Sequence, residues 1–99
     1  MLNHQKIEIL DSTLREGEQT PGVSFSVEQK IAITKRLDDF GVDFIELGHP
    51  VVSPDVYEAV ETLNDLELNA KKMAHGRANK SDINDIAAIG VEWMGIFFG

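Results

Sequence analysis

Three times along this chain a short apolar run gives way to a helical pattern, and a fourth apolar run follows. Strand and helix signals in strict alternation imply parallel strands joined by right-handed crossovers. The first run is Lys6–Leu10, where Ile7 and Ile9 alternate against Glu8, and a loop leads from it to Ser26. Ser26 opens a helix and Gln29, three residues on, completes a capping box. Val27, Ile31 and Thr34 lie along one side of that helix, Ile33, Leu37 and Phe40 along a neighbouring one, and Gly41 is its C-terminal cap. Val42–Leu47 is the second strand, broken by Gly48-His49-Pro50. Ser53-Pro54 starts the second helix, with serine as N-cap and proline at the first helical position; Val56, Ala59, Val60 and Leu63 follow at helical spacing. Ala70–Ala74 is a third strand, diluted by Lys71 and Lys72. Asn79 or Ser81 opens the third helix, with Ile83, Ile86 and Ala87 inward and Gly90 as cap. Glu92–Phe98 is the fourth strand, and its Trp93, Phe97 and Phe98 are expected in the core.

Two α/β architectures fit this order: a doubly wound open sheet, or the first half of a (β/α)8 barrel. A complete barrel takes about 250 residues, and the chain has 99. The expectation is therefore the first half of a TIM barrel, about three βα units plus a fourth strand. Residues 1–99 would then be the N-terminal part of a catalytic domain, with no complete domain boundary in the chain. A small flavodoxin-like domain is the alternative, but no glycine-rich phosphate loop follows the first strand. The apolar fraction of 42% is enough for a packed core, and the net charge of −8 leaves no basic stripe for nucleic acid or an anionic membrane. No cysteine is present, which excludes a disulfide or a thiolate zinc site. Met1–Lys6 is polar, and no membrane-length apolar run occurs. The expected setting is cytoplasmic, with no nucleic-acid or membrane partner.

Polar residues gather after the strands. Asp11, Arg15, Glu16 and Gln19 follow the first, Glu46 closes the second with His49 just beyond, and His75 and Arg77 follow the third. Parallel strands carry their carboxyl ends to one face, the face on which barrel enzymes build active sites. Plainer roles exist for each. Asp11 is read as a turn residue with Ser12 and Thr13. Arg15–Glu16 alone could be a solvated pair. His49 before proline is as good a turn residue as a ligand. Glu46 shares a strand face with Phe44, and an acid facing a barrel lumen is costly unless paired or used.

The run Asp11-Ser12-Thr13-Leu14-Arg15-Glu16-Gly17-Glu18-Gln19 closely resembles the N-terminal signature of the DRE-TIM metallolyase superfamily. Within it, the chain resembles the group of homocitrate, 2-isopropylmalate and citramalate synthases. The similarity continues through Thr20-Pro21-Gly22-Val23, Ile45-Glu46-Leu47-Gly48 with Pro50 and Ser53-Pro54, and Ala74-His75-Gly76-Arg77.

The resemblance implies a TIM barrel and a Claisen-type condensation of acetyl-CoA with a 2-oxo acid, helped by a divalent metal cation (Zn, Mg or Mn). It implies Glu16 as a metal ligand and Arg15 and Glu46 as catalytic residues. Arg15 would neutralise charge on the keto oxygen, and Arg15, Gln19, Glu46, His75 and Arg77 would contact the 2-oxo acid. It also implies a homodimeric full-length protein. The group's His-x-His metal pair does not occur in the sequence, whose histidines, His4, His49 and His75, stand apart. The 99-residue chain alone is therefore expected to be inactive. Glutamate at Glu16, where many isopropylmalate and citramalate synthases carry aspartate, leans towards homocitrate synthases. Glu46-Leu47-Gly48-His49-Pro50 leans towards isopropylmalate synthases. The reading is homocitrate synthase-like, with 2-isopropylmalate or citramalate synthase as the alternative and a non-catalytic α/β binding domain as a further one.

Overall fold

The computed structural model describes residues 7–98. Its elements are β1 (Leu10–Asp11), α1 (Thr13–Glu18), α2 (Val27–Phe40), β2 (Phe44–Glu46), a turn of 3-10 helix at Pro50–Val52, α3 (Pro54–Asn64), β3 (Lys71–Arg77), α4 (Lys80–Ile89) and β4 (Trp93–Phe97). The strands form one parallel sheet in the order β1-β2-β3-β4. A doubly wound sheet reverses its order at a switch point. Here each strand pairs with the one before it, as in a barrel. The sheet and its helices are those of the first part of a (β/α)8 barrel, and the flavodoxin-like alternative is excluded by this order.

Capping chemistry fixes the helix starts. The Ser26 hydroxyl accepts the Gln29 N–H at 3.1 Å, and the Gln29 carboxamide accepts the Ser26 N–H at 2.8 Å. Ser53 caps α3 through the Val56 N–H at 3.2 Å. Of the two possible caps of α4, Asn79 is the one used, accepting the Asp82 N–H at 2.8 Å. Gly41 ends α2 in the left-handed region, φ 99°, where a side chain would be strained.

The core lies between the helices and one sheet face. Ile45, Leu47 and Ala74 from the sheet meet Val60 and Leu63 of α3, Ile86 of α4 and Leu14 of α1. Each of the larger side chains contributes about 1.5–3 kcal/mol by leaving water. Alternation then puts Phe44, Glu46, His75 and Phe97 on the opposite face, the one a barrel turns inward. Register sets Glu46 beside Met73 and His75 beside Gly95.

Several expectations are corrected. The first strand is Leu10–Asp11 rather than Lys6–Leu10; Lys6 lies outside the described residues. Ile9 is held without ladder pairing of its own N–H, which goes to the Asp43 carboxylate at 2.7 Å. The loop after it begins as helix α1. Asp11 starts that helix by accepting the Thr13 N–H at 2.8 Å, and buried Leu14 anchors it. β3 runs on to Arg77 because His75, Gly76 and Arg77 stay paired with Gly95, Ile96 and Phe97. On α2 the fully buried positions are Lys30 and Thr34, one turn apart, while Ile31, Ile33 and Leu37 pack half-buried against the core; Val27 and Phe40 are exposed. On α4 the inward pair is Asp82 and Ile86, again one turn apart, while Ile83 and Ala87 face out. Trp93 and Phe98 are exposed and Phe97 is half-buried, so these aromatics are not core. They lie on or beside the face opposite the helices, which explains why apolar character alone misplaced them.

Candidate functional site

Arg15 projects from α1 to the end of β2, where its Nε donates to Glu46 Oε2. The other Glu46 oxygen accepts the Ser12 hydroxyl at 3.3 Å. Glu46 is buried, so its charge is compensated by one guanidinium and one hydroxyl, both from the segment that follows β1. The far ends of the guanidinium are held loosely. Nη1 donates to the Gln19 carboxamide at 3.4 Å and Nη2 to Glu16 at 3.4 Å, both exposed residues. The arrangement anchors Arg15 through Nε and leaves its two terminal nitrogens with weak partners that an incoming oxyanion can replace.

Beyond β2 and β3 lies a ring cluster. The His75 imidazole stacks on Phe97, centroids 4.6 Å apart and planes 8° from parallel. His49 meets both edge-on, at 5.8 Å from His75 and 5.6 Å from Phe97. Gly95 admits the imidazole: a Cβ there would stand 3.3 Å from His75 Nδ1 and 3.3 Å from Met73 Sδ. Among the described residues, His75 Nδ1 and His49 Nε2 are buried without a hydrogen-bond partner. Burial lowers the His75 pKa from its ordinary 6.5, and the nearby Arg15 charge lowers it further; Glu46 pulls the other way. His75 thus favours its neutral form more than a free imidazole does.

Arg77 points elsewhere. Its Nε donates to Asp82 Oδ2 at 2.9 Å and its Nη2 to Asp82 Oδ1 at 3.0 Å, a bidentate pair, and its own N–H bonds Asp82 Oδ2 at 2.9 Å. This pairing holds the buried Asp82 carboxyl well below the usual range. The Arg77 side chain is therefore occupied at the start of α4 by Asp82, whose Oδ2 is 3.8 Å from His49 Nε2. The structure brings Arg15, Glu16, Gln19 and Glu46 together and sets His75 near them; it does not join Arg77 to that cluster.

Glu16 is exposed and, among the described residues, its one polar side-chain contact is with Arg15, so its carboxylate is open to a ligand. No group of three His, Cys, Asp or Glu side chains able to hold a metal forms among the described residues. The residues present fit one ligand position and not a closed metal site.

A cavity of about 80 Å³ opens beside Arg15 and Gln19 and is lined also by Glu18, Lys30, Leu47 and His49. Sequence reasoning missed Ser12, Glu18, Lys30 and Gly95. Ser12 was legible as a hydroxyl next to a strand end; Lys30, which reads as a solvated helix residue, and Gly95, which reads as an unremarked glycine inside a strand, left no such signal.

Comparison with known proteins identifies the family. Residues 6–98 match the HMGL-like family. A protein named homocitrate synthase from Pyrococcus horikoshii is 56% identical over 90 residues, covering 91% of this chain and 25% of that protein. Its namesake from Pyrococcus abyssi is 52% identical over 90 residues, with the same coverage of 91% and 25%. The homocitrate synthase of Sulfolobus acidocaldarius is 49% identical over 100 residues, covering 97% of this chain and 21% of its own. The chain thus spans a quarter or less of the length of these relatives. With its motif run, its sequential parallel sheet and a match over residues 6–98, the chain belongs to the HMGL-like family, the DRE-TIM superfamily that its first motif resembles.

Proposed function

We propose that this chain supplies the 2-oxo acid end of a homocitrate synthase-like active site, one that condenses acetyl-CoA with 2-oxoglutarate. The observation that carries the reading is the Arg15–Glu46 anchor, which leaves two guanidinium nitrogens on long, exposed partners that an oxyanion can displace at the carboxyl ends of parallel strands. The name homocitrate synthase, shared by relatives at 49–56% identity, supports 2-oxoglutarate as the acceptor.

In this reading Arg15 donates to the keto oxygen as negative charge builds on it during carbon–carbon bond formation. Such a preorganised donor lowers the barrier by roughly 3–4 kcal/mol. Glu46 holds the guanidinium in place through Nε, and Gln19 contacts the acid. Neutral His75, packed on Phe97, offers a hydrogen bond to the acid without adding charge. Arg77 would reach a distal carboxylate only by leaving Asp82. Glu16 would provide one ligand to a divalent cation, with further ligands from outside the described residues. A bound divalent cation supplies Lewis acidity at the 2-oxo acid's oxygens.

The test uses the full-length protein with a divalent metal. Free thiol released from acetyl-CoA is measured with 2-oxoglutarate, 2-oxoisovalerate and pyruvate in parallel. The expected result is fastest release with 2-oxoglutarate. No release with any of the three defeats the synthase reading. Preference for 2-oxoisovalerate or pyruvate reassigns it to an isopropylmalate or citramalate synthase. Turnover by the 99-residue chain alone would contradict the need for outside ligands.

A further inference from the structure

Lys30 is the one cation of α2 that the fold buries; Lys35 and Arg36 are exposed. Its Nζ pairs with Glu18 Oε1 at the last residue of α1. Next to this pair the Phe25 ring lies against the α1 backbone, so closely that a Cβ on Gly17 would fall 2.5 Å from Phe25 Cε2. The start of α1 is held by Asp11 and Leu14; its end is held by Lys30 and Phe25. Between the two stand Arg15 and Glu16. Lys30, Glu18, Arg15 and Gln19 also share the wall of one cavity.

A buried ion pair is a weak source of net stability, because desolvation offsets most of the attraction. What it fixes well is position, since the partly exposed Glu18 cannot swing away without leaving the buried Lys30 charge unpaired. A helix of only 6 residues has little cooperativity of its own to hold its direction. We propose that the Lys30–Glu18 pair is a positioning device that locks the end of α1 and thereby aims the Arg15 guanidinium. The inference rests on the condensation reading above; Lys30 itself touches no reacting atom in it.

The experiment compares wild-type full-length protein with Lys30→Met and with the charge-swapped double variant Glu18→Lys/Lys30→Glu. Two readouts are taken, hydrogen exchange of the α1 amides and steady-state kinetics with acetyl-CoA and 2-oxoglutarate, alongside a thermal midpoint to count folded molecules. In Lys30→Met the amides of Gln19 and Thr20, which bond Glu16 and Gly17 carbonyls, should exchange about tenfold faster while those of β3 do not. Turnover should fall roughly 10- to 100-fold with KM for the 2-oxo acid little changed, because misaimed Arg15 loses its grip chiefly in the transition state. The swapped pair should recover both. Unchanged α1 exchange overturns the proposal. So does loosening of α1 with full turnover per folded molecule, which would make the pair merely structural. If the wild-type protein releases no CoA with any 2-oxo acid, the condensation reading fails instead, and the exchange comparison still decides whether the pair fixes α1.

Discussion

Arg15 on α1 donates its Nε hydrogen to Glu46 at the end of β2, tying together residues 31 positions apart. That contact is what turns two separate sequence motifs into one site. It also explains how a carboxylate is tolerated on an inward sheet face, since the guanidinium and the Ser12 hydroxyl occupy both of its oxygens.

Replacing Arg15 with glutamine should lower turnover about 10²- to 10³-fold while KM for the 2-oxo acid rises far less. The same change leaves the buried Glu46 without its counter-charge and should cost about 3 kcal/mol of stability. Steady-state kinetics and a denaturant titration read the two effects separately. Unchanged turnover would remove Arg15 from the chemistry.

The His75 imidazole should titrate below its ordinary 6.5 when followed by NMR. Arg15→Gln should raise that midpoint and Glu46→Gln should lower it further, since the first removes a like charge and the second an opposite one. The folded pKa lies below the unfolded one. The unfolded chain therefore binds more protons between the two values, so this group's share of stability is complete above 6.5 and is lost as pH falls through the folded value. A midpoint at or above 6.5 would contradict the burial of the ring.

Asp82 carries the opposite charge type but the same sign of pH dependence. Its folded pKa is depressed, first by the Arg77 hydrogen bonds, below the ordinary 3.8. Its contribution is thus present above 3.8 and disappears as pH falls through the folded value. Asp82→Asn should lower the thermal midpoint at pH 7, and the gap to wild type should narrow in strong acid. An equal gap at all pH values would mean that the carboxylate's charge is not what Arg77 and α4 use.

Gly95→Ala should act on binding more than on folding. The added methyl meets His75 Nδ1 and Met73 Sδ at 3.3 Å, tight enough to displace the imidazole by a few tenths of an ångström. KM for the 2-oxo acid should rise several-fold with a thermal midpoint within a few degrees of wild type. A variant with wild-type KM would show that the imidazole's placement is not critical.

The helix starts were legible because capping is local chemistry. Ser26 with Gln29, and Ser53 before Pro54, are satisfied within four residues, and the structure uses each as read. Gly41 and Gly90 ended their helices as expected for the same reason, each with positive φ. Strand limits were not legible, because a partner strand decides them. His75 to Arg77 look too polar for a strand, yet β4 supplies their ladder. Inward helix faces failed where a charged residue takes part. Lys30 and Asp82 are buried because Glu18 and Arg77 meet them, and neither meeting is written in the helical period.

The sequence by itself determined the alternation of elements, the class of sheet, and the motif Asp11–Gln19 with its family. These depend on hydrophobic period, caps and residue order, which act over a few positions. Only the tertiary structure decided that Arg15 anchors on Glu46, that His75 lies on Phe97 through the gap left by Gly95, and that Arg77 turns to Asp82. Each of those choices compares desolvation of a charge or ring with the partner that the fold happens to bring near, and that partner lies on another element.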